Sequence, residues 1–341
     1  MRFSRVLECW EVHAEGEIGR VVTGGLPPVP GTTMLEKLRH LEEVDDSLRR
    51  FCVTEPRGRP NASTVLLLPP TDPRAHAGIL ILQPDRTHAM SGSNAICAVT
   101  CMLETGMVEM REPETEVVLD TAAGLVVARA RCGGGRCREV RLAMPWSWVW
   151  QEGVEVEVPE LGAVRLDVAF GGVFYALVDV AAFGLSITPA EARRLVELGM
   201  HILDAAKARV VPEHPERPGL RGLSYLMWYG FDAEGRAVNA TVMPPGRLDR
   251  SPCGTGSSAR LALAFARGAV QPGDALEFHS VIGSRFSARV LEAGEVAGRP
   301  AIRPEIAGRG FLFGHALIAR DPEDPFGGHL LSDIWGPGVE G

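Results

Sequence analysis

Two residues with acid–base chemistry stand at the same point of two similar stretches. Ser91 opens "SGSNAICAVTCMLETG", and Cys253 opens "CGTGSSARLALAFARG" 162 residues further on. Gly92 falls opposite Gly254, and Ser93 opposite Thr255. Small residues then lead into an apolar run, and a glycine follows fifteen positions after the first residue, at Gly106 and Gly268. Small polar starts and glycine stops bracket a helix. Agreement of start, run and stop marks an internal repeat of about half the chain.

A helix start presents unpaired backbone N–H groups and partial positive charge. Glycine beside it lets a ligand come close to the backbone. "SGSN" and "CGTG" therefore each read as a site for a small anion, a carboxylate above all. Neither fits the phosphate-loop pattern, which needs Gly-Lys-Ser/Thr. The same field is expected to lower the Cys253 thiol pKa and favour the thiolate, a base or nucleophile. Ser91 supplies a hydroxyl, able to donate a proton but a poor base unless activated. Each also has a plain reading as a helix cap. That reading suits Ser91 better, because serine is a preferred cap, and Ser251 could cap the second helix in place of Cys253.

The elements that must carry these starts repeat as well. "RVLECWEVHAEGEIGRVVTGG" and "VRLDVAFGGVFYALVDV" read as paired strands opening each half. "EKLRHLEEVDDSLRRFCV" reads as one amphipathic helix. "TPAEARRLVELGMHILDAAKARV" reads as its counterpart, with Thr188 as N-cap and Glu191 three residues on. "EVVLDTAAGLVVARARC", "EVRLAMP" and "DALEFHSVIGSRFSARVLEAG" read as short strands broken by glycine. The fold class is α/β or α+β, sheet-rich, with one long helix enclosed in each half. The halves are expected at residues 1–162 and 163–325, with the tail 326–341 returning to the first.

Composition narrows the function. The chain has 341 residues, 45% of them apolar, and a net charge of −8, with arginines scattered through it. No basic face calls for nucleic acid. No apolar run approaches the ~18 residues of a membrane span. The charged N-terminus lacks a signal-peptide core, so the cytoplasm is the expected location. The seven cysteines are odd in number and irregularly spaced, which argues against a disulfide framework. Cys132 and Cys137 bracket "GGGR", a hairpin turn rather than a zinc knuckle, and no metal is expected. Cys97 and Cys101 read as small apolar residues on a buried helix face. A hydrolase triad has little support, since "GxSxG" is missing and only His88 precedes Ser91.

The motifs "DRSPCGTGSSARLA", "HAEGEIGRVVTGGLPPVPG" and "MSGSNAI" resemble the proline racemase family, and the similarity runs to "IAGRGFLFG" and "DPEDPF". That family includes proline racemases, 4-hydroxyproline 2-epimerases and trans-3-hydroxy-L-proline dehydratases. The resemblance implies a diaminopimelate-epimerase-like fold of two pseudo-symmetric lobes, each a sheet around a central helix. It implies a cofactor-independent reaction in which two residues face opposite sides of the substrate α-carbon. Carried over by motif, these are Ser91 and Cys253. Backbone at Gly92, Ser93, Gly254 and Thr255 would hold the carboxylate, Asp249 would meet the ring ammonium, and Tyr225 would lie near the ring hydroxyl.

Family racemases and epimerases commonly carry cysteine first, in "CGH"; here "SGS" replaces both the cysteine and the histidine. Dehydratases keep the first cysteine and carry threonine second. Serine first and cysteine second resembles a branch that combines hydroxyproline epimerisation with 3-hydroxyproline dehydration. The expected function is therefore 4-hydroxyproline 2-epimerisation, trans-3-hydroxy-L-proline dehydration, or both. An imino-acid-binding pseudoenzyme is the alternative. The expected partner is a small imino acid, with a homodimer as an option.

Overall fold

The structure is a computed structural model that describes residues 3–325; the tail 326–341 assigned above to the first half lies outside the described residues. The chain divides into two compact units. One takes the described residues up to Arg141 together with those from Arg309 onward, and the other takes Leu142–Gly308. The divisions fall earlier than those read from the sequence at both points. The last strand explains the second: Gly310–Arg320 pairs along the first strand of the chain, from Arg5↔Arg320 to Ala14↔Gly310.

The first unit begins with β1 (Arg5–Ala14) and β2 (Glu17–Gly24), the pair expected from their alternation. Next come α1 (Met34–Arg39) and α2 (Ser47–Val53). β3 (Ala62–Leu68), β4 (Ala77–Leu82) and the two-residue β5 (Thr87–His88) then lead to α3 (Gly92–Glu104). β6 (Glu114–Thr121), β7 (Gly124–Cys132) and β8 (Cys137–Ala143) follow. With Gly310–Arg320 numbered β18, the sheet order is β18–β1–β2–β3–β4–β6–β7, parallel at β2/β3 and β4/β6 and antiparallel elsewhere.

The second unit repeats that order. It contains β9 (Ser147–Val158), β10 (Gly162–Phe170), β11 (Phe174–Asp179), α4 (Ala192–Arg209) and β12 (Leu223–Phe231). β13 (Ala237–Met243) and β14 (Arg247–Leu248) precede α5 (Gly254–Ala266), and β15 (Ala275–Ser280), β16 (Arg285–Val296) and β17 (Arg299–Gly308) complete it. The order β9–β10–β11–β12–β13–β15–β16–β17 is parallel at β11/β12 and β13/β15, matching the first unit. Ala301↔Trp148 and Ile302↔Ser147 then join β17 back to β9, closing the sheet on itself.

The two repeat helices occupy the interiors of their sheets. α3 packs against β1, β2, β3 and β18, and α5 against β9, β10, β11, β16 and β17. Gly92–Leu103 and Gly254–Leu263 are buried on every side, which is why both runs are small and apolar all round rather than striped. α4 lies on its sheet by one stripe only, Leu195, Gly199, Ile202, Leu203 and Ala206. Close approach is bought by glycine. A Cβ on Gly171 would lie 2.0 Å from the Thr255 carbonyl at the start of α5, and one on Gly19 of β2 would lie 2.6 Å from Asn94 Oδ1 and 3.0 Å from Cys97 Sγ on α3.

Two helical expectations are corrected. The run 36–53 is not one helix: a wide turn, His40–Val44, follows α1, and Asp45 is extended at φ −142°. Its Oδ1 accepts from Ser47 N at 2.9 Å, a local bond that competes with helix continuation. Thr188 starts the segment 188–209 without a side-chain capping bond, because a short 3-10 turn, Pro189–Glu191, comes before α4. The two glycine stops hold. Gly106 and Gly268 follow α3 and α5 at φ 74° and 71°. Cys132 and Cys137 flank a tight turn closed by Gly133 N to Arg136 O at 3.0 Å. All seven cysteines are free, and Cys97 and Cys101 are fully buried. Among the described residues no group of three or more His, Cys, Asp or Glu could hold a metal ion, and no helix is long and apolar enough to cross a membrane.

The glycine contacts differ in kind. At Gly171 the obstacle is backbone; at Gly19 it is a side-chain amide and a sulfur that can shift. Gly171→Ala should therefore destabilise by about 1–3 kcal/mol and Gly19→Ala by less, read as the order of their thermal unfolding midpoints.

Candidate active site

Ser91 is the N-cap of α3, extended at φ −151° and ψ 123°. Its Oγ accepts from Asn94 Nδ2 at 2.9 Å and from Asn94 N at 3.4 Å, and lies 3.3 Å from Ser93 Oγ. Ser91 is half-buried, and Gly92 and Ser93 are buried. A hydroxyl has two acceptor positions and one proton. The cap uses acceptor capacity, which leaves the Ser91 proton to Ser93 Oγ or to another acceptor. The plain cap reading and the donor reading are thus compatible. His88 Nε2 is paired with Asp85 at 3.1 Å and 3.2 Å. The imidazole is engaged by a carboxylate, and Ser91 Oγ by Asn94 and Ser93.

Cys253 holds the corresponding place before α5 in a different backbone state, φ 66° and ψ 113°. Side chains with a Cβ rarely adopt it, and neighbouring bonds secure it here. Cys253 N donates to Ser251 Oγ at 3.1 Å, so Ser251 serves the loop rather than the helix start. Asp249 Oδ1 accepts from Ser251 N and Ser251 Oγ, both at 2.8 Å. Pro252 O accepts from Asn239 Nδ2 and from Ser257 Oγ, each at 3.1 Å. Asn239 is itself held by Arg260 Nη1 at 2.7 Å. The sequence offered Ser251 as a helix cap and gave no role to Asn239 and Arg260; an arginine and an asparagine inside apolar stretches were the available signal.

The thiol is buried, with Asp249 buried beside it. Tyr175 Oη of β11 lies 3.2 Å from Cys253 Sγ and 2.6 Å from Thr255 Oγ1. Tyr225 of β12 belongs to the same buried cluster, its ring centroid 5.6 Å from that of Tyr175. The structure places Cys253, Gly254, Thr255, Asp249 and Tyr225 in the second unit, and Ser91, Gly92 and Ser93 in the first. It adds Tyr175, whose only mark in the sequence is a hydroxyl in an apolar strand.

One electrostatic expectation is overturned. The helix start does not leave Cys253 thiolate-prone: burial, and after it the Asp249 carboxylate, push its pKa from 9.0 to about 12. The Tyr175 and Thr241 hydroxyls and the Gly256 N–H act in the opposite direction without prevailing. Desolvation of an anion outweighs a helix end that has partial charge only. Tyr175 is likewise raised well above its ordinary value, first by burial and then by the neighbouring sulfur. Both groups are protonated in the free protein near neutrality.

The proline racemase family model matches residues 9–329. The chain belongs to the proline racemase family. It is 52% identical over 340 residues to a 4-hydroxyproline 2-epimerase of Agrobacterium fabrum, covering 99% of each chain. A crystal structure of a hydroxyproline epimerase from Agrobacterium vitis, with bound trans-4-hydroxy-L-proline, is 48% identical, superposes at a TM-score of 0.95 and covers 99% of both chains. A predicted epimerase of Pseudomonas aeruginosa shares the fold at a TM-score of 0.53 and 16% identity, over 92% of this chain and 99% of that one; at that distance the likeness speaks for the fold alone. The mixed α/β architecture with a sheet around a central helix in each unit is the one the family resemblance implied.

Because the Asp249 carboxylate raises the Cys253 pKa, Asp249→Asn should lower it while keeping an acceptor oxygen for Ser251. Carbamidomethylation of Cys253 by iodoacetamide near pH 8 should then be several-fold faster than in the wild type. Mass spectrometry of the Cys253 peptide measures this, and an unchanged rate would remove Asp249 from the sulfur's electrostatics.

Proposed function

We propose that this chain is a 4-hydroxyproline 2-epimerase that works by proton transfer at Ser91 and Cys253. The observation that carries the reading is the full-length likeness to a hydroxyproline epimerase bound to trans-4-hydroxy-L-proline. Relatives named as enzymes along the whole chain favour turnover over the imino-acid-binding alternative. Dehydration of trans-3-hydroxy-L-proline does not appear in those names and enters as an arm of the test. Seven free cysteines fit a reducing compartment, and the cytoplasm is the proposed location.

The chemistry follows from the two helix starts. Removing a proton beside a carboxylate leaves charge on the carboxylate oxygens, where first-turn N–H groups stabilise it. Gly92 and Ser93 of α3 and Gly254 and Thr255 of α5 are assigned to that task. Asp249 is assigned to the ring ammonium. Pairing with a cation offsets the carboxylate's effect on Cys253 and eases formation of the thiolate in the bound state. The thiolate then takes the α-proton: the C–H bond breaks, S–H forms, and the electron pair passes to the carboxylate. Ser91 gives its proton to the other face of the carbon. Solvent exchange afterwards restores the serine proton and removes the thiol proton. Tyr225 is assigned to the ring hydroxyl.

Incubation with trans-4-hydroxy-L-proline in heavy water should give the C2 epimer, cis-4-hydroxy-D-proline, with deuterium at the α-carbon, read by chiral chromatography and mass spectrometry. Proline and trans-3-hydroxy-L-proline, with trapping of the cyclic imine, rank the competing activities. An α-proton that stays in place would leave a binder. Ser91→Ala should lower epimerisation by roughly 10²–10⁴-fold, the range for loss of a general acid–base group, while deuterium exchange on the Cys253 face falls less. Wild-type epimerisation by Ser91→Ala would reduce Ser91 to a cap.

A further inference from the structure

Tyr175 lies in none of the family motifs quoted above, yet its fully buried phenol touches both Cys253 and Thr255. A phenol carries one proton and can direct it to only one of two neighbours. Thr255 also carries one. If Thr255 donates to Tyr175 Oη at 2.6 Å, the phenol proton is free for Sγ at 3.2 Å. Facing an anionic sulfur, that orientation is the favoured one, because a hydrogen bond to a charged acceptor is about twice as strong as a neutral one.

Two more donors stand on the same sulfur. The Gly256 N–H belongs to the first turn of α5, and the Thr241 hydroxyl of β13 is fully buried near the sulfur; both favour the thiolate. Gly256 permits the approach: a Cβ there would lie 3.2 Å from both Cys253 Sγ and the Tyr175 ring, and 2.1 Å from Met227 Cε. The ionisable groups around the sulfur in this unit are Asp249 from the loop before α5, Tyr175 from β11 and, beyond it, Tyr225 from β12. Asp249 opposes the thiolate. Tyr175 is the one ionisable neighbour that supports it, by donating a proton it keeps.

We propose that Tyr175 is a positioning residue for proton transfer at Cys253, its phenol donating to the thiolate while Thr255 holds the phenol in that orientation. The proposal rests on the assignment of Cys253 made above. When the thiolate takes the α-proton, S–H forms and the bonding pair stays on the substrate. Tyr175 keeps its own proton throughout, so it aligns and stabilises the base without entering the transfer.

The test compares three proteins: wild type, Tyr175→Phe, and a protein with 3,5-difluorotyrosine placed at position 175. The fluorines strengthen the phenol as a donor while preserving its hydrogen-bonding shape. The readout is the rate of Cys253 carbamidomethylation from about pH 6 to 7, where the fluorinated phenol keeps its proton, without substrate and followed on the Cys253 peptide. Tyr175→Phe should be about tenfold slower across that range, and the fluorinated protein faster than wild type. A role in packing alone predicts no gain on fluorination. Equal rates for wild type and Tyr175→Phe, or a fluorinated protein no faster than wild type, would overturn the proposal. If Tyr175→Phe does not fold, the fluorinated protein decides alone. Because the labelling needs no turnover, a failure of the epimerase reading in heavy water leaves the labelling order interpretable, and the two failures are told apart.

Discussion

The site at α5 depends on the backbone of one residue. Cys253 is held at φ 66° and ψ 113°, a region that costs a residue with a Cβ on the order of 1–3 kcal/mol and persists only where its surroundings impose it. Here they do. Ser251 Oγ accepts from the Cys253 N–H, Asp249 accepts from the Ser251 N–H and hydroxyl, and Asn239 and Ser257 donate to the Pro252 carbonyl. Arg260 closes the network by holding Asn239. The residue assigned to the substrate cation is thus also a structural member of the loop that presents the sulfur. Substituting it affects both functions, which is why an isosteric amide is the informative change.

The two copies of the motif share a sequence pattern and differ in physics. Ser91 is an ordinary extended N-cap, half-buried, with its oxygen accepting from Asn94. Cys253 is buried, strained and beside a carboxylate. A hydroxyl suits the first position, since it can cap and donate at once. A thiol suits the second, since sulfur tolerates burial as a neutral group and becomes a base only when its surroundings supply donors or a compensating cation. The balance between a helix end and desolvation is settled by magnitude. Partial charge at a helix terminus is worth about 0.3–2 kcal/mol, and full burial of a charged group shifts a pKa by up to 3–5 units. Burial prevails at Cys253 in the free protein.

Enclosing a helix in a sheet sets the composition of both units. A helix touched on all sides needs small residues inside and glycine on the strands and turns that approach it. Gly19 and Gly310 meet α3 at Asn94, Cys97 and Thr100, and Gly171 meets α5 at the Thr255 carbonyl. The small residues of "SGSNA" and "CGTGSSA" therefore answer to packing as well as to ligand access.

Much of this was legible along the chain. The limits of α3 and α5 were, because a small polar start, an apolar run and a glycine with positive φ are all local signals. So were the strand pairs β1–β2 and β10–β11, whose alternation is also local, and the placement of Ser91 and Cys253 before their helices; β9, which opens the second unit ahead of β10, was not. The helix over residues 36–53 was not, because apolar periodicity continues through a break that the Asp45 side chain makes by bonding to Ser47 N. Nor was the pairing of β18 with β1, in which Arg5 meets Arg320 at the far end of the chain. Tyr175 and Thr241 reach the Cys253 sulfur only because β11 and β13 fold into the same closed sheet. The direction of the thiol's pKa depends on solvent exclusion by the whole unit, and no local pattern of residues carries that quantity.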